Sequence, residues 1–150
     1  MNKNDDPWAT YAQTVLYFSA EPQVYVDLRK RVSAPVRDAL KEIGLTGEFS
    51  VLTAFNPHGK NIDEAENERR LAALKAELAE SGFYFVQVDA CSPDTSHCEC
   101  SYAVSAPLDR VVEIADRWDQ LAVFWFDGSS FWIVGGELRK GERAKLPALD

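Results

Sequence analysis

The chain has no apolar stretch that approaches a membrane span. Its longest such run, Leu121 to Phe126, is far below the ~20 residues a spanning helix needs. It also lacks an export signal: Met1 to Pro7 is polar and leads into no apolar segment. A concentrated basic patch is missing too. The 16 Lys and Arg are scattered among 24 acidic residues, and the net charge of −8 argues against a duplex-binding surface. Cysteine is scarce and odd in number, at three. Without an export signal this favours free thiols in a reducing cytoplasm. There is no phosphate-binding loop, because Gly59-Lys60 has neither the spacing nor the second glycine. Ser129-Ser130 sits in a turn with no nucleophile-elbow context.

What remains is globular. Apolar residues make up 46 % of the 150 positions and aromatic residues 11 %, enough for one domain with a real core. Residues 1–9 read as a flexible N-terminus, 10–136 as one α+β domain and 137–150 as a charged surface tail. Gln13 to Phe18 and Val24 to Leu28 are expected strands, joined as a hairpin through Ala20 to Gln23. Ser33 to Ile43 is an expected helix with Ser33 as cap, Pro35 in its first turn and Gly44 as its stop. Phe49 to Phe55 is apolar on both alternating faces, which predicts a central strand. Asp63 to Ser81 is the best helix, with Asp63 and Glu66 in capping-box spacing and Gly82 at its end. Strands at Phe83 to Val88 and Cys98 to Val104 and a helix at Pro107 to Trp118 follow. A hairpin of Leu121 to Phe126 with Phe131 to Val134 completes the pattern. Residues 47–126 thus give a β-α-β-β-α-β, ferredoxin-like order. The expected architecture is a two-layer sandwich, with helices on one face of a mostly antiparallel sheet.

The most informative stretch is Thr53 to Arg70, where a strand enters a polar loop and then the patterned helix. Leu71, Leu74 and Leu78 define the helix face that packs on the sheet. One turn back, the same face carries Asn67. Arg70 stands beside it, and Asn56 ends the preceding strand at the same corner. Helix N-termini and strand carboxyl ends favour ligands, anions above all. Asn56, Gly59, Lys60, Asn67 and Arg70 are therefore the candidate binding residues for a small anionic ligand such as a nucleotide. The competing reading is structural: Asn67 satisfies orphan loop groups and Arg70 pairs with Glu66.

The pattern Thr53-Ala54-Phe55-Asn56-Pro57, Glu66-Asn67, Arg70, Leu74 and Leu78 resembles the bacterial domain-of-unknown-function family numbered 3293. The resemblance continues through Glu99-Cys100-Ser101-Tyr102 and Ala122-Val123-Phe124-Trp125, over roughly Tyr11 to Val134. It implies a small cytosolic protein and signature positions at Asn56, Pro57, Asn67, Arg70 and Glu99. It supplies no chemistry.

Three further features carry alternatives. Cys91, His97, Cys98 and Cys100 are candidate zinc ligands, but His97 and Cys98 are adjacent and the spacing fits poorly. A nucleophilic Cys98 or Cys100 beside His97 or His58 and a disulfide between Cys91 and Cys98 are other possibilities; incidental free thiols are the simplest. Glu99 faces away from Cys98 and Cys100 on its strand, as a general acid or base in a hydrolase or transferase would if that side is a cleft. The aromatic hairpin, with Trp125 and Trp132 on one face, offers a protein-interaction or homodimer surface. No cofactor is expected.

Overall fold

The computed structural model describes residues 7–57 and 60–148. Helix α1 (Pro7–Tyr11) precedes β1 (Val15–Phe18) and β2 (Val24–Asp27), and α2 (Ala34–Glu42) precedes β3 (Phe49–Leu52). Then come α3 (Glu64–Ser81), β4 (Tyr84–Cys91), β5 (Cys98–Ser105) and α4 (Leu108–Arg117). Strands β6 (Ala122–Phe126) and β7 (Phe131–Gly135), a 3-10 turn (Glu137–Arg139) and β8 (Arg143–Lys145) close the chain. The eight strands form one sheet in the order β2-β1-β4-β5-β3-β6-β7-β8. Every neighbouring pair is antiparallel.

Local signals set the helix boundaries. The Asp63 carboxylate accepts the Glu66 N–H at 2.8 Å, and Gly82 leaves α3 at φ 79°, where a side chain would be strained. Ser33 caps α2 by accepting the Val36 N–H. Gly44 follows α2 at φ 95° and lets the Tyr84 ring lie where a Cβ would stand; Tyr84 Oη donates to the Ile43 carbonyl at 2.6 Å.

The sheet is covered on both sides. Leu74 and Leu78 of α3 and Val111, Ile114 and Ala115 of α4 pack on Leu52, Tyr102, Val104 and Val123. On the opposite face Leu40 of α2 joins Leu16, Phe18, Phe49, Val51 and Val88. This corrects the expectation of helices on one face only. The physical reason is visible in β3, all four residues of which are buried. A strand apolar on both faces needs a cover on each, at ~1.5–3 kcal/mol per large side chain removed from water.

The stretch after Glu137, expected to trail over the surface, contains β8, which pairs with β7. Leu146 beyond it is buried in the core. Residues 7–9 of the expected N-terminal tail belong to α1. Among the described residues no helix is long and apolar enough to cross a membrane.

Candidate functional site

The corner between β3 and α3 is closed by side chains. Asn56 adopts φ 47°, a left-handed conformation that Asn tolerates better than most residues. Its backbone N–H donates to Asn67 Oδ1 at 2.9 Å, and Asn67 Nδ2 donates back to Asn56 Oδ1 at 3.0 Å. The Ile62 N–H reaches the same oxygen at 3.3 Å. Arg70 donates from Nε to the Ala54 carbonyl at 2.7 Å and from Nη2 to the Trp118 carbonyl at 2.6 Å. Its guanidinium lies over the Trp118 ring, 5.3 Å from the centroid. Gln120 Nε2 donates to the carbonyls of Phe55 and Trp118 at 2.9 and 3.0 Å.

Asn56, Asn67 and Arg70 are thus brought together, with Asn67 on the inward helix face as its spacing predicts. Their polar groups serve the loop backbone. Arg70 does not pair with Glu66, which instead forms an ion pair with Arg69. Lys60 is exposed. Gly59, also a candidate, and His58 lie outside the described residues.

Glu99 connects this corner to a cavity of about 450 Å³ on the α1 side of the sheet. It projects from β5 on the side opposite Cys98 and Cys100, as strand alternation predicts. Its Oε2 accepts from Asn56 Nδ2 at 3.0 Å and lies 3.3 Å from His97 Nε2. Among the described residues Oε1 has no hydrogen-bond donor. Val51, Phe124 and Ile133 give the cavity an apolar wall, and Thr53, Ser101 and Gln120 add uncharged polar groups. Thr53 is itself fixed, donating to the Cys100 carbonyl at 2.7 Å and accepting the Phe55 N–H at 3.1 Å. Tyr11 of α1 forms another side, edge-on to Phe124. Burial first, and then the negative charge of Glu99, raises the Tyr11 pKa, so the phenol stays protonated at neutral pH.

One lining residue of the cavity, Cys91, is bound covalently. Cys91 and Cys98 are directly opposed at the end of the β4–β5 pair and form a disulfide. This corrects the expectation of three free thiols. Strand β4 runs to Cys91, further than its apolar pattern predicts, which puts the two cysteines in register. Cys100 remains a thiol, its pKa raised by burial first and then by Asp89. Within the turn, Asp94 accepts hydrogen bonds from Ser92 and Ser96, and the Ser92 N–H donates to the His97 carbonyl at 2.8 Å. This turn holds His97 near Glu99. Among the described residues no three His, Cys, Asp or Glu side chains converge as a metal site.

The aromatic hairpin forms as its alternation predicts. Trp125 and Trp132 face each other across β6 and β7 with ring centroids 6.2 Å apart. They are not bare. Arg143 lies over Trp125 at 5.5 Å, and the Lys145 ammonium lies 5.9 Å from the Trp132 ring.

Fold and site together define a class: an α+β domain with an antiparallel sheet and a cavity with one carboxylate, Glu99, among its described lining residues. Residues 52–123 match the model of the family described as "Protein of unknown function (DUF3293)". Neither a curated protein nor a solved structure matches the chain. The matched segment contains Asn56, Asn67, Arg70, Glu99 and the disulfide. It stops short of Tyr11, which helps enclose the cavity. Tyr11 and Gln120 were not legible as site residues, since α1 is only five residues long and Gln120 stands in a loop.

Proposed function

We propose that the protein is a small-molecule-binding domain and that its site is the Glu99 cavity rather than the Asn56–Arg70 corner. The observation that carries this reading is Glu99 itself. One carboxylate oxygen is held by the Asn56 amide, the other lacks a donor among the described residues, and the residue lines a cavity of about 450 Å³. A volume of that order suits a small organic ligand. Such a ligand would present an N–H or O–H to Glu99 and lay its apolar part on Val51, Phe124 and Ile133. Asn56 and Asn67 then act indirectly, by orienting the carboxylate. The corner itself has little left to offer the anion expected from sequence.

A second reading has one observation in its favour. His97 Nε2 stands 3.3 Å from Glu99 Oε2, an arrangement able to pass a proton. Glu99 would then be a general acid or base in a hydrolase or transferase, without help from Arg70. We also read the inner four strands as a ferredoxin-like unit. Their order, β6-β3-β5-β4, and the helical crossovers after β3 and β5 support it.

The test is a thermal-shift screen of uncharged and charged fragments against wild type and Glu99→Gln. Binding at a hundredfold excess over the dissociation constant would stabilise wild type by ~2.7 kcal/mol. Fragments that stabilise both forms equally would place the ligand elsewhere and sink the reading.

A further inference from the structure

The charge distribution of the Glu99 cavity specifies its ligand more narrowly; this inference rests on reading the cavity as a small-molecule site. Glu99 is the one carboxylate among the described lining residues, and no Lys or Arg stands beside it. The other titratable groups near the carboxylate are the Tyr11 phenol, which stays protonated at neutral pH, and His97, which is largely exposed, at 63 % of its side chain. The basic side chains of adjoining elements are engaged elsewhere. Arg70 serves the Ala54 and Trp118 carbonyls and faces Asp119 at 3.8 Å. Arg139 pairs with Glu142 and lies over the Trp8 ring at 4.6 Å. The partners of Glu99 are therefore a neutral amide and an imidazole, not a permanent cation.

A partly enclosed carboxylate is stabilised most by a positive charge that can also donate hydrogen bonds. An ammonium group does both. The surrounding wall suits what such a group would be attached to. Phe124 and Tyr11 offer aromatic rings, which attract cations over their faces and accept hydrocarbon equally well. Val51 and Ile133 continue the apolar side. A carboxylate or phosphate ligand would meet the negative charge of Glu99 with no Lys or Arg in the described lining to offset it.

We propose that the cavity takes a small primary amine with a compact apolar body, its ammonium held by the Glu99 carboxylate. Asn56 is a positioning residue in this arrangement: it fixes one carboxylate oxygen and leaves the other for the ligand.

The experiment is calorimetric titration of the full chain at neutral pH with three probes of similar shape. These are 2-phenylethylamine, 2-phenylethanol and 3-phenylpropionate. The amine is expected to bind at least about tenfold more tightly than the alcohol, a difference of ~1.4 kcal/mol. The propionate is expected to bind more weakly than either. Glu99→Gln keeps an oxygen for the Asn56 amide and should abolish the preference for amine over alcohol. Glu99→Asp keeps the charge and should retain part of it. Urea unfolding of both variants would show that the fold is intact.

Alcohol binding that equals amine binding and is lost on filling the cavity with Thr14→Trp would keep the site and overturn the amine. An amine affinity that Glu99→Gln leaves unchanged would overturn it as well. Binding by none of the three probes also overturns it; the fragment screen would then show whether the cavity reading survives.

Discussion

Asn56 touches two polar regions of opposite character. On its α3 side lie Asn67, Arg70 and Gln120, whose donors end on backbone carbonyls or on the Asn56 side chain. On its β5 side lies Glu99, which has an oxygen without a donor among the described residues and a cavity in front of it. Both regions look alike in sequence, as polar residues where packing alone would place apolar ones. What separates them is whether their hydrogen-bonding capacity is already used. A saturated network holds the fold, and removing a member leaves buried groups unsatisfied. An unsaturated carboxylate in a hollow adds little to stability and remains available to a ligand.

The strongest test of that division is Arg70→Ala. Two charge-assisted hydrogen bonds and the stacking on Trp118 disappear together, and about 3 kcal/mol of unfolding free energy should go with them. Arg70→Lys should restore less than half, because an ammonium cannot span two carbonyls as a planar fork does. Urea denaturation measures both. A loss below ~1 kcal/mol would mean that the corner is not structural and would return Arg70 to the list of binding residues.

Reducing the Cys91–Cys98 disulfide should have the next largest effect. The bond closes a short loop, since the cysteines are seven positions apart. Loop-closure entropy alone gives roughly 2.5 kcal/mol for a loop of this size. Denaturation with and without a dithiol reductant reads the difference, with Cys91→Ala/Cys98→Ala as the control that should not respond. Asn67→Ala follows at about 2 kcal/mol, since it strands the buried Asn56 N–H. Glu99→Gln belongs at the other end of the comparison. It should change stability by less than ~1 kcal/mol while removing ligand preference. A Glu99→Gln variant as unstable as Asn67→Ala would erase the distinction between corner and cavity.

The corner was more legible in the sequence than the cavity. Asn67 could be placed on the inward face because Leu71, Leu74 and Leu78 fix the phase of α3, and caps at Asp63 and Gly82 fix its ends. Those signals are local. The cavity depends on the Asn56–Glu99 hydrogen bond across 43 positions and on Tyr11 arriving from the N-terminal side. Residue spacing carries no information about either. The position of α2 was hidden for the same reason: its apolar stripe shows that it packs, not on which face of the sheet. Strand β8 was missed because Arg143-Ala144-Lys145 has no apolar alternation. Its order comes from backbone pairing with β7, from cations over Trp125 and Trp132, and from buried Leu146. The disulfide was open as an alternative, and only the exact register of β4 and β5 decided it.

The smallest expected effect concerns the turn that carries His97. Asp94 is exposed, and its carboxyl is pulled from 3.8 down to about 2 by hydrogen bonds, first from the Ser96 N–H and hydroxyl and then from the Ser92 hydroxyl. A folded-state pKa below the unfolded one means that the unfolded chain binds the proton more readily. The Asp94 contribution is therefore fully present above about pH 4 and declines as the pH falls toward about 2. Asp94→Asn should remove this part of the acid dependence, lowering the melting temperature slightly at neutral pH and not at all near pH 2. Melting curves over that range, wild type against variant, measure it. They bear on the cavity as well as the turn. If His97 only lends Glu99 a nearby partner, loosening its turn should leave amine affinity at neutral pH close to wild type. An affinity that falls as far in Asp94→Asn as in Glu99→Gln would show that the hydrogen-bonded turn, and not the carboxylate alone, makes the site.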